Sequence, residues 1–202
     1  MNDIRKFRIS SVLPPRGVAK ITVPTGFDFI DLEIGSGVGW HAIKYARENP
    51  SRFLIAIEKT SAKFARFESR LAGHVPIPNL FPVHADAVAW VAHCIGEVKI
   101  SRCLILYPNP NLRVTSQRWI RMPFMHYLIE VMKSGGELVL ATNEEDYAKE
   151  VEKYGQEAWG LKLDLNLSFT HETAPKNYPR THFEKKYLAR GETCYELRFR
   201  KP

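Results

Sequence analysis

Short apolar runs alternate with longer stretches of helical periodicity along this 202-residue chain, and this alternation constrains its fold more than any other feature. Because strand–helix–strand crossovers are right-handed, such alternation indicates a parallel sheet with helices on both faces. Two later runs alternate apolar and polar residues with a period of two, which is typical of an antiparallel pair. The predicted strands are residues 27–34, 53–58, 79–85, 102–107, 137–142, 161–170 and 193–200.

The sequence therefore predicts a doubly wound, mostly parallel seven-stranded α/β sheet that ends in an antiparallel C-terminal hairpin. Strand 79–85 contains Pro82 and is expected to be short. The helices are predicted at residues 39–48, 61–73, 87–95, 118–133 and 144–155. We expect residues 1–26 to form a short basic N-terminal segment and residues 27–202 to form a single domain.

The charge distribution points to a polyanionic partner. The chain has 29 Lys and Arg against 22 Asp and Glu, a net charge of +7, and the excess lies in residues 1–20 and 176–202. Basic ends on a nearly neutral body favour nucleic acid as the partner, although a basic protein with solvated ends has the same composition.

Other classes are disfavoured by simple patterns in the sequence. No apolar run reaches the roughly 18 residues that a membrane span needs, and the first ten residues contain no apolar signal segment. The three cysteines (Cys94, Cys103 and Cys194) have no metal-ligand spacing, so we expect buried free thiols and no metal. These features together predict a cytoplasmic protein.

A glycine-rich segment, DLEIGSGVGW at residues 31–40, joins the first strand to the first helix. In doubly wound folds, ligands bind beyond the carboxyl ends of the strands, and glycines let a ligand approach the backbone there. The dinucleotide fingerprint G-x-G-x-x-G does not fit, because its last position falls on Trp40. The G-x-G-x-G spacing after an acidic residue resembles the first motif of S-adenosylmethionine (SAM) methyltransferases of this fold class. Its glycines are Gly35, Gly37 and Gly39.

Acidic residues follow the next two strands and complete the predicted cofactor site. Glu58 ends strand two, where a carboxylate can accept both ribose hydroxyls. Asp86, followed by Ala87, comes after strand three, near the expected position of an adenine amino group. Glu33 is placed to hold the positively charged methionine end. Each of these acidic residues also fits a helix cap or a solvated turn.

Segments after strands four and five extend the resemblance. YPNPNLR (107–113) follows strand four, ATNEEDYA (141–148) follows strand five, and THFE (181–184) lies near the C-terminus. With EIGSGVG and AIE, these segments resemble the bacterial tRNA (guanine-N7-)-methyltransferase family, from about residue 31 to the C-terminus. That family carries E-I-G-x-G-x-G, G-I-E, F-P-D-P-W-x-K, A-T-D-x-x-x-Y and T-x-F-E. The resemblance implies SAM as cofactor, tRNA as partner and a target-base pocket lined by Asn109, Arg113, Asn143, Thr181, Phe183 and Glu184.

The chain departs from the family on the side of the substrate. Asn109, the expected catalytic residue, stands where the family has Asp, and Asn143 replaces a second Asp. The basic cluster after strand four is reduced to Arg113, Arg118 and Arg121. The acidic residues on the cofactor side are all present. Guanine N7 has a lone pair and carries no proton, so its methylation needs alignment and no general base. We therefore expect weaker catalysis or a changed substrate.

Three alternatives remain open at this point. The paired amides also fit a non-catalytic protein that binds SAM and RNA. Asn109-Pro110 partly matches the (D/N)-P-P-(Y/F/W) motif of enzymes that methylate exocyclic amino groups, but the second proline and the aromatic residue are missing. A small-molecule substrate is the third alternative. Separately, YPNPN also fits a proline-stiffened turn without a function.

Overall fold

The structure, a computed structural model, describes residues 6–17 and 20–202, so Arg5 of the basic N-terminal segment lies outside the described residues. The strands within this part are β1 (Phe29–Ile34), β2 (Arg52–Glu58), β3 (Leu80–His84), β4 (Ile100–Leu106), β5 (Met132–Thr142), β6 (Lys162–Phe169) and β7 (Cys194–Arg200). The α-helices are α1 (Trp40–Glu48), α2 (Ser61–Ala72), α3 (Ala87–Cys94), α4 (Phe124–Val131), α5 (Glu145–Glu157) and α6 (His182–Ala189).

The strands form one seven-stranded sheet with the order β3-β2-β1-β4-β5-β7-β6. β1 and β2 pair in parallel, as do β2 and β3, with Leu32 opposite Ile55 and Ile57 opposite Val83. β7 pairs antiparallel with both β5 and β6. The strand order reverses direction at β1, as it does in doubly wound sheets, so the predicted fold class is confirmed.

The chain divides into two compact units. The N-terminal unit comprises residues 8–104, and the C-terminal unit comprises residues 105–202 together with Lys6 and Phe7. The boundary falls within β4. The single domain predicted over residues 27–202 remains a prediction, and it contains this boundary.

Burial follows the periodicity of the sequence. The last four residues of β1 and the last six of β2 are buried, as expected for strands with helices on both faces. β3 lies at the edge of the sheet, where the missing N–H of Pro82 is tolerated. The edge strand β6 alternates exposed and half-buried residues up to Phe169, which is fully buried.

The predicted helix over residues 118–133 is wrong in its first half. Two short 3-10 segments, Thr115–Gln117 and Trp119–Arg121, precede α4, which begins after Pro123. Proline has no backbone N–H and fits only the first turn of a helix, so it sets the start of α4. β5 starts at Met132, inside the predicted helix, and includes Gly135 and Gly136.

β6 and β7 pair as predicted, but their connection was not foreseen. It contains α6, which the sequence analysis left unassigned. The three cysteines are free and buried, as predicted, and burial raises the pKa of the Cys103 thiol. Across the described residues, no helix combines the length and the apolar character that crossing a membrane requires.

A buried carboxylate connects β1, β2 and α1 of the N-terminal unit. Asp31 is fully buried and accepts hydrogen bonds from the Tyr45 hydroxyl and from the guanidinium of Arg52, each at 2.6 Å. Arg102 of β4 donates to the Tyr45 oxygen at 2.9 Å. Burial and the neighbouring Asp31 carboxylate raise the pKa of Tyr45 to about 12.

This network predicts a loss of stability at alkaline pH. Because the pKa of Tyr45 is higher in the folded protein than the ordinary value of 10.0, folding holds one proton more than the unfolded chain between pH 10 and about 12. The Tyr45 share of the free energy of unfolding is present below pH 10 and falls by about 1.4 kcal/mol per pH unit above it. Urea titrations at several pH values measure this slope.

Tyr45→Phe is the control for this prediction. The variant is expected to be less stable at pH 8, because Asp31 loses a donor, and to show a shallower decline above pH 10. Equal slopes for the variant and the wild type would contradict the assignment of the raised pKa to Tyr45.

Candidate functional site

The glycine segment after β1 forms a tight loop that leads into α1. Gly35, Gly37 and Gly39 have positive φ angles of 80°, 60° and 76°, a region that favours glycine. The amides of Gly35 and Ser36 both donate to the Ile57 carbonyl, at 2.8 and 2.9 Å. The loop is thereby fixed against the end of β2.

The three glycines serve two different purposes. A Cβ added at Gly35 or Gly37 meets no atom within 4 Å, so both face open space. A Cβ at Gly39 would lie 2.0 Å from Cδ2 of Phe67, which is fully buried. Gly39 therefore allows α2 to pack closely, whereas Gly35 and Gly37 leave backbone accessible to a ligand.

Glu58 holds the loop from the end of β2. Its side chain is buried, with Oε2 accepting from the Gly37 amide at 2.8 Å and Oε1 accepting from the Thr60 amide at 2.6 Å. A carboxylate oxygen accepts more than one hydrogen bond, so these contacts leave acceptor capacity for ribose hydroxyls.

Beside the loop, polar atoms are buried without hydrogen bonds. Glu33 is 3% exposed, and its Oε2 lies 3.0 Å from Nδ1 of His41. The geometry of this contact is not that of a hydrogen bond. Both atoms therefore lack a hydrogen-bond partner, and so does the Ser36 hydroxyl. Buried polar atoms are almost always paired, so this cluster indicates a missing polar ligand. Its carboxylate suits the positive charge of SAM, and the predicted cofactor fits.

Asp86 is a helix cap. Its Oδ1 accepts from the amides of Val88 and Ala89 at 2.9 and 3.2 Å, directly before α3, which begins at Ala87. Oδ2 accepts from Lys59 at 2.9 Å. Burial alone would raise the pKa of Asp86, but Lys59 and the two amides outweigh it and lower that pKa. The predicted contact with adenine stays a prediction.

On the C-terminal unit, the YPNPN turn starts in an unusual backbone conformation. Tyr107 and Asn111 have positive φ angles of 51° and 42°, which cost about 1–2 kcal/mol for a residue other than glycine. Contacts hold Tyr107 in place, because its amide donates to the Ala141 carbonyl and its hydroxyl to Oε1 of Glu184, both at 2.8 Å.

The rest of the turn is fixed from within. Oδ1 of Asn109 accepts from the Asn111 amide at 3.0 Å, and Asn111 donates to the Gln117 carbonyl at 3.2 Å. Arg118 donates to the Pro110 carbonyl at 2.7 Å. Asn109, the predicted catalytic residue, is exposed at the tip of this rigid turn.

The basic cluster after β4 divides into two groups. Arg118 and Arg121 both pair with the Glu150 carboxylate on α5, and Arg118 is 9% exposed. Their guanidinium groups also lie over the rings of Tyr147 and Tyr154. Arg113 is exposed. The two paired arginines therefore stabilise the C-terminal unit, and the predicted substrate contact of Arg113 stays a prediction.

The T-x-F-E segment begins α6. The Thr181 hydroxyl caps the helix by accepting from the Glu184 amide at 2.9 Å. Glu184 is fully buried, and its carboxylate accepts from Tyr107, from the Arg180 side chain at 3.1 Å and from the Arg180 amide. Thr-x-x-Glu is the capping-box spacing, which was the sequence signal for the helix that the strand pattern missed.

Phe183, between the cap residues, points outward. It is 38% exposed and stacks on Tyr187 with ring centroids 6.3 Å apart. Tyr187 in turn contacts the Tyr107 ring at 5.6 Å. The three rings connect the YPNPN turn to the surface of α6.

Asn143, after β5, contacts a carboxylate that the sequence analysis missed. Its Nδ2 donates to Oε2 of Glu192 at 2.9 Å and lies 3.4 Å from Oε1 of Glu144. Burial raises the pKa of Tyr187, and the charges of Glu192 and Glu144 raise it further. Glu192 comes from the connection before β7, so no local motif links it to position 143.

The seven-stranded sheet and its helices define an α/β protein of the Rossmann-like class. Every residue predicted for the cofactor lies in the N-terminal unit, and every residue predicted for the substrate lies in the C-terminal unit.

The chain belongs to the methyltransferase family described as "Putative methyltransferase", whose model matches residues 28–197. A tRNA (guanine-N(7)-)-methyltransferase of Myxococcus xanthus (strain DK1622) is 30% identical over 175 residues, covering 86% of this chain and 84% of the relative. Another of that name from Nitrosomonas eutropha (strain DSM 101675 / C91 / Nm57) is 28% identical over 200 residues, covering 95% of this chain and 88% of the relative.

Solved structures support the fold. The 16S rRNA methyltransferase KamB has a TM-score of 0.64 and 20% identity, covering 88% of this chain and 90% of that one. The [4+2]-cyclase SpnF has a TM-score of 0.62 and 14% identity, covering 88% and 77%. Because the fold also occurs in a cyclase, it does not by itself assign the reaction.

The two kinds of glycine predict two kinds of defect. Gly39→Ala is expected to lower the free energy of unfolding by about 2–4 kcal/mol, from the clash with Phe67 and the left-handed backbone. Gly37→Ala should cost only about 1–2 kcal/mol but weaken SAM binding at least tenfold, because its Cβ fills the open space of the loop. Urea denaturation and isothermal titration with SAM measure the two effects. Unchanged SAM affinity in Gly37→Ala would contradict a cofactor role for the loop.

Proposed function

We propose that this protein is a SAM-dependent methyltransferase that methylates guanine N7 in tRNA. The observation that carries the proposal is the buried carboxylate oxygen of Glu33, which lies 3.0 Å from His41 but makes no hydrogen bond, beside an open glycine loop. The names of the relatives supply the target. The same hypothesis places the protein in the cytoplasm, with its tRNA.

The N-terminal unit holds the cofactor in this proposal. Gly35 and Gly37 admit it, Glu58 accepts its ribose hydroxyls, and Glu33 faces its positive charge. Asp86 acts through the start of α3 and remains the candidate for the adenine amino group. When bound, SAM supplies a methyl group on a positively charged sulfur. Since N7 of guanine carries no proton, the chain's task is alignment, which contributes about 7–11 kcal/mol in favourable cases.

The C-terminal unit recognises the base. The Watson–Crick edge of guanine donates from N1 and N2, so a carboxylate is the matching acceptor and also balances the cation that methylation creates. Asn143 carries no charge, but its amide orients the carboxylate of Glu192. We infer that Glu192 replaces the lost aspartate, while Asn109, Arg113 and the exposed Phe183 ring contact the nucleotide.

Thr181 and Glu184 take a different role from the one that the resemblance implies. The Thr181 hydroxyl caps α6, and the Glu184 carboxylate fixes Tyr107 at the base of the YPNPN turn. We propose that both are positioning residues, which set the place of Phe183 and Asn109.

Methyl transfer is tested with unmodified tRNA and SAM labelled in the methyl group. Mass spectrometry of the digested nucleosides is expected to find labelled 7-methylguanosine, and Gly37→Ala is expected to form at least tenfold less of it. A labelled methyl group on another base would show that the target is not guanine N7. If the protein binds SAM and tRNA but transfers no methyl group, the proposal is overturned.

A second candidate function is binding without turnover, which the neutral side chains at 109 and 143 favour. If neither the wild type nor Asn109→Asp transfers methyl to any RNA while both bind SAM and tRNA, binding is the function. If the wild type methylates tRNA, this candidate is excluded.

The role of Glu192 predicts a particular pattern of variants. Glu192→Gln is expected to lower kcat/KM for tRNA about tenfold to a hundredfold, because a charged hydrogen bond contributes about 1.5–3 kcal/mol. Asn143→Asp should also lower it, since a third carboxylate would face Glu192 and Glu144. The exchange Asn143→Asp/Glu192→Gln restores one amide and one carboxylate, so it should recover part of the activity.

Glu145→Gln is the matched control, because it removes an exposed carboxylate that pairs with Lys149 on α5. Its methylation rate and SAM affinity are expected to equal those of the wild type. A Glu192→Gln variant with wild-type kcat/KM would exclude the carboxylate role while leaving the proposed reaction intact.

A further inference from the structure

A cleft of about 540 Å³ lies on the N-terminal unit, lined by residues of α1, the end of α2 and the following loop. We call it the α1–α2 cleft. Its polar lining is mainly basic, with Lys44, Arg47, Arg70 and His74 against one acidic residue, Glu48. None of these side chains belongs to the predicted cofactor or base sites.

One acidic residue lines the cleft beside its basic residues. Glu48 approaches Lys44 with 4.0 Å between Oε1 and Nζ, and their side chains are 57% and 34% exposed. Lys44, Arg47 and Arg70 line the cleft against this one carboxylate, so the formal charge of the lining is positive. Arg70 donates from Nε to the Val38 carbonyl at 3.2 Å, which places this end of the cleft next to the glycine loop.

A row of cations on α2 leads to the cleft. Lys63, Arg66 and Arg70 are all exposed, and their spacing of three and four residues puts them on one face of the helix. From Lys63 to Arg70 the helix rises about 10 Å, roughly the axial length of three nucleotides of one strand. The row is therefore long enough to lie along about three phosphates of one strand.

The aromatic side chain in the cleft favours nucleic acid over a simple anion. Trp40 lines the cleft and is partly exposed. Aromatic rings beside phosphate-binding cations are the combination that binds unpaired nucleotides, since the rings stack on bases. An inorganic anion has no base that could stack on the indole ring.

We propose that the α1–α2 cleft and the cationic row on α2 bind the phosphodiester backbone of the RNA substrate. This inference rests on the proposed function in one respect, which is that the substrate is an RNA. It adds a second anchoring surface, apart from the residues that contact the target base. Tight binding of tRNA then depends on the middle of the chain as well as on its basic ends.

The test compares two double variants that remove the same charge. Lys44→Gln/Arg47→Gln alters the cleft, and Lys149→Gln/Lys153→Gln alters exposed lysines of the acidic helix α5. The tRNA dissociation constant is measured over a range of salt concentrations, and SAM binding is measured on the same samples. The cleft variant is expected to bind tRNA on the order of tenfold more weakly at low salt. The plot of the logarithm of the tRNA association constant against log salt has a negative slope, and its magnitude should decrease by about 1.4–1.8 for two lost phosphate contacts.

The control is expected to keep the wild-type affinity and slope, and all variants should bind SAM normally. Lys63→Gln/Arg66→Gln leaves α1 unchanged and should also weaken tRNA binding and its salt dependence. This variant tests the inference even if the cleft variant does not fold. Equal tRNA affinity in the cleft variant and the control would overturn the inference, whether or not the wild type methylates tRNA. A wild type that binds tRNA through the cleft without methylating it would instead overturn the proposed function alone.

Discussion

Hydrogen bonds and ion pairs to buried carboxylates organise both compact units. Among the described residues, the buried carboxylates are those of Asp31, Glu33, Glu58, Glu184 and Glu196. A buried charge is costly unless donors surround it, so each partner is held in a fixed place. Arginines and tyrosines supply the donors for three of these groups, and loop amides supply them for Glu58. Glu33 differs because one of its buried oxygens lacks a hydrogen bond, which supports the role proposed for it in holding the cofactor.

In the C-terminal unit, the hydrogen bonds of two glutamates differ in the same way. Glu184 belongs to a conspicuous motif, yet its carboxylate is used inside the unit to hold Tyr107 and the backbone before α6. Glu192 belongs to no motif, yet it lies partly exposed and is oriented by Asn143. Position 143 thus carries a neutral amide, and the carboxylate of Glu192 lies beside it.

Local patterns carried much of the prediction. Apolar periodicity predicted all seven strands and five of the six helices, because burial of one face is written into neighbouring residues. The glycine spacing was likewise local, so the loop after β1 could be anticipated, whereas the contact of Glu58 with the Gly37 amide was not predicted. The boundary at Pro123 and the cap of α6 were also visible in the sequence, through proline at a helix start and Thr-x-x-Glu.

The sequence by itself determined the order of the elements, the glycine loop and the identity of the charged residues. Only the tertiary structure decided what those charges do, because hydrogen bonds and ion pairs join residues far apart in the chain. Arg118 and Arg121 pair with Glu150, a contact that their place in the basic cluster after β4 did not show. Charges dispersed along α1 and α2 converge on one cleft. A net charge counted along the chain could not place them there, since the geometry of the folded helices sets which side chains meet.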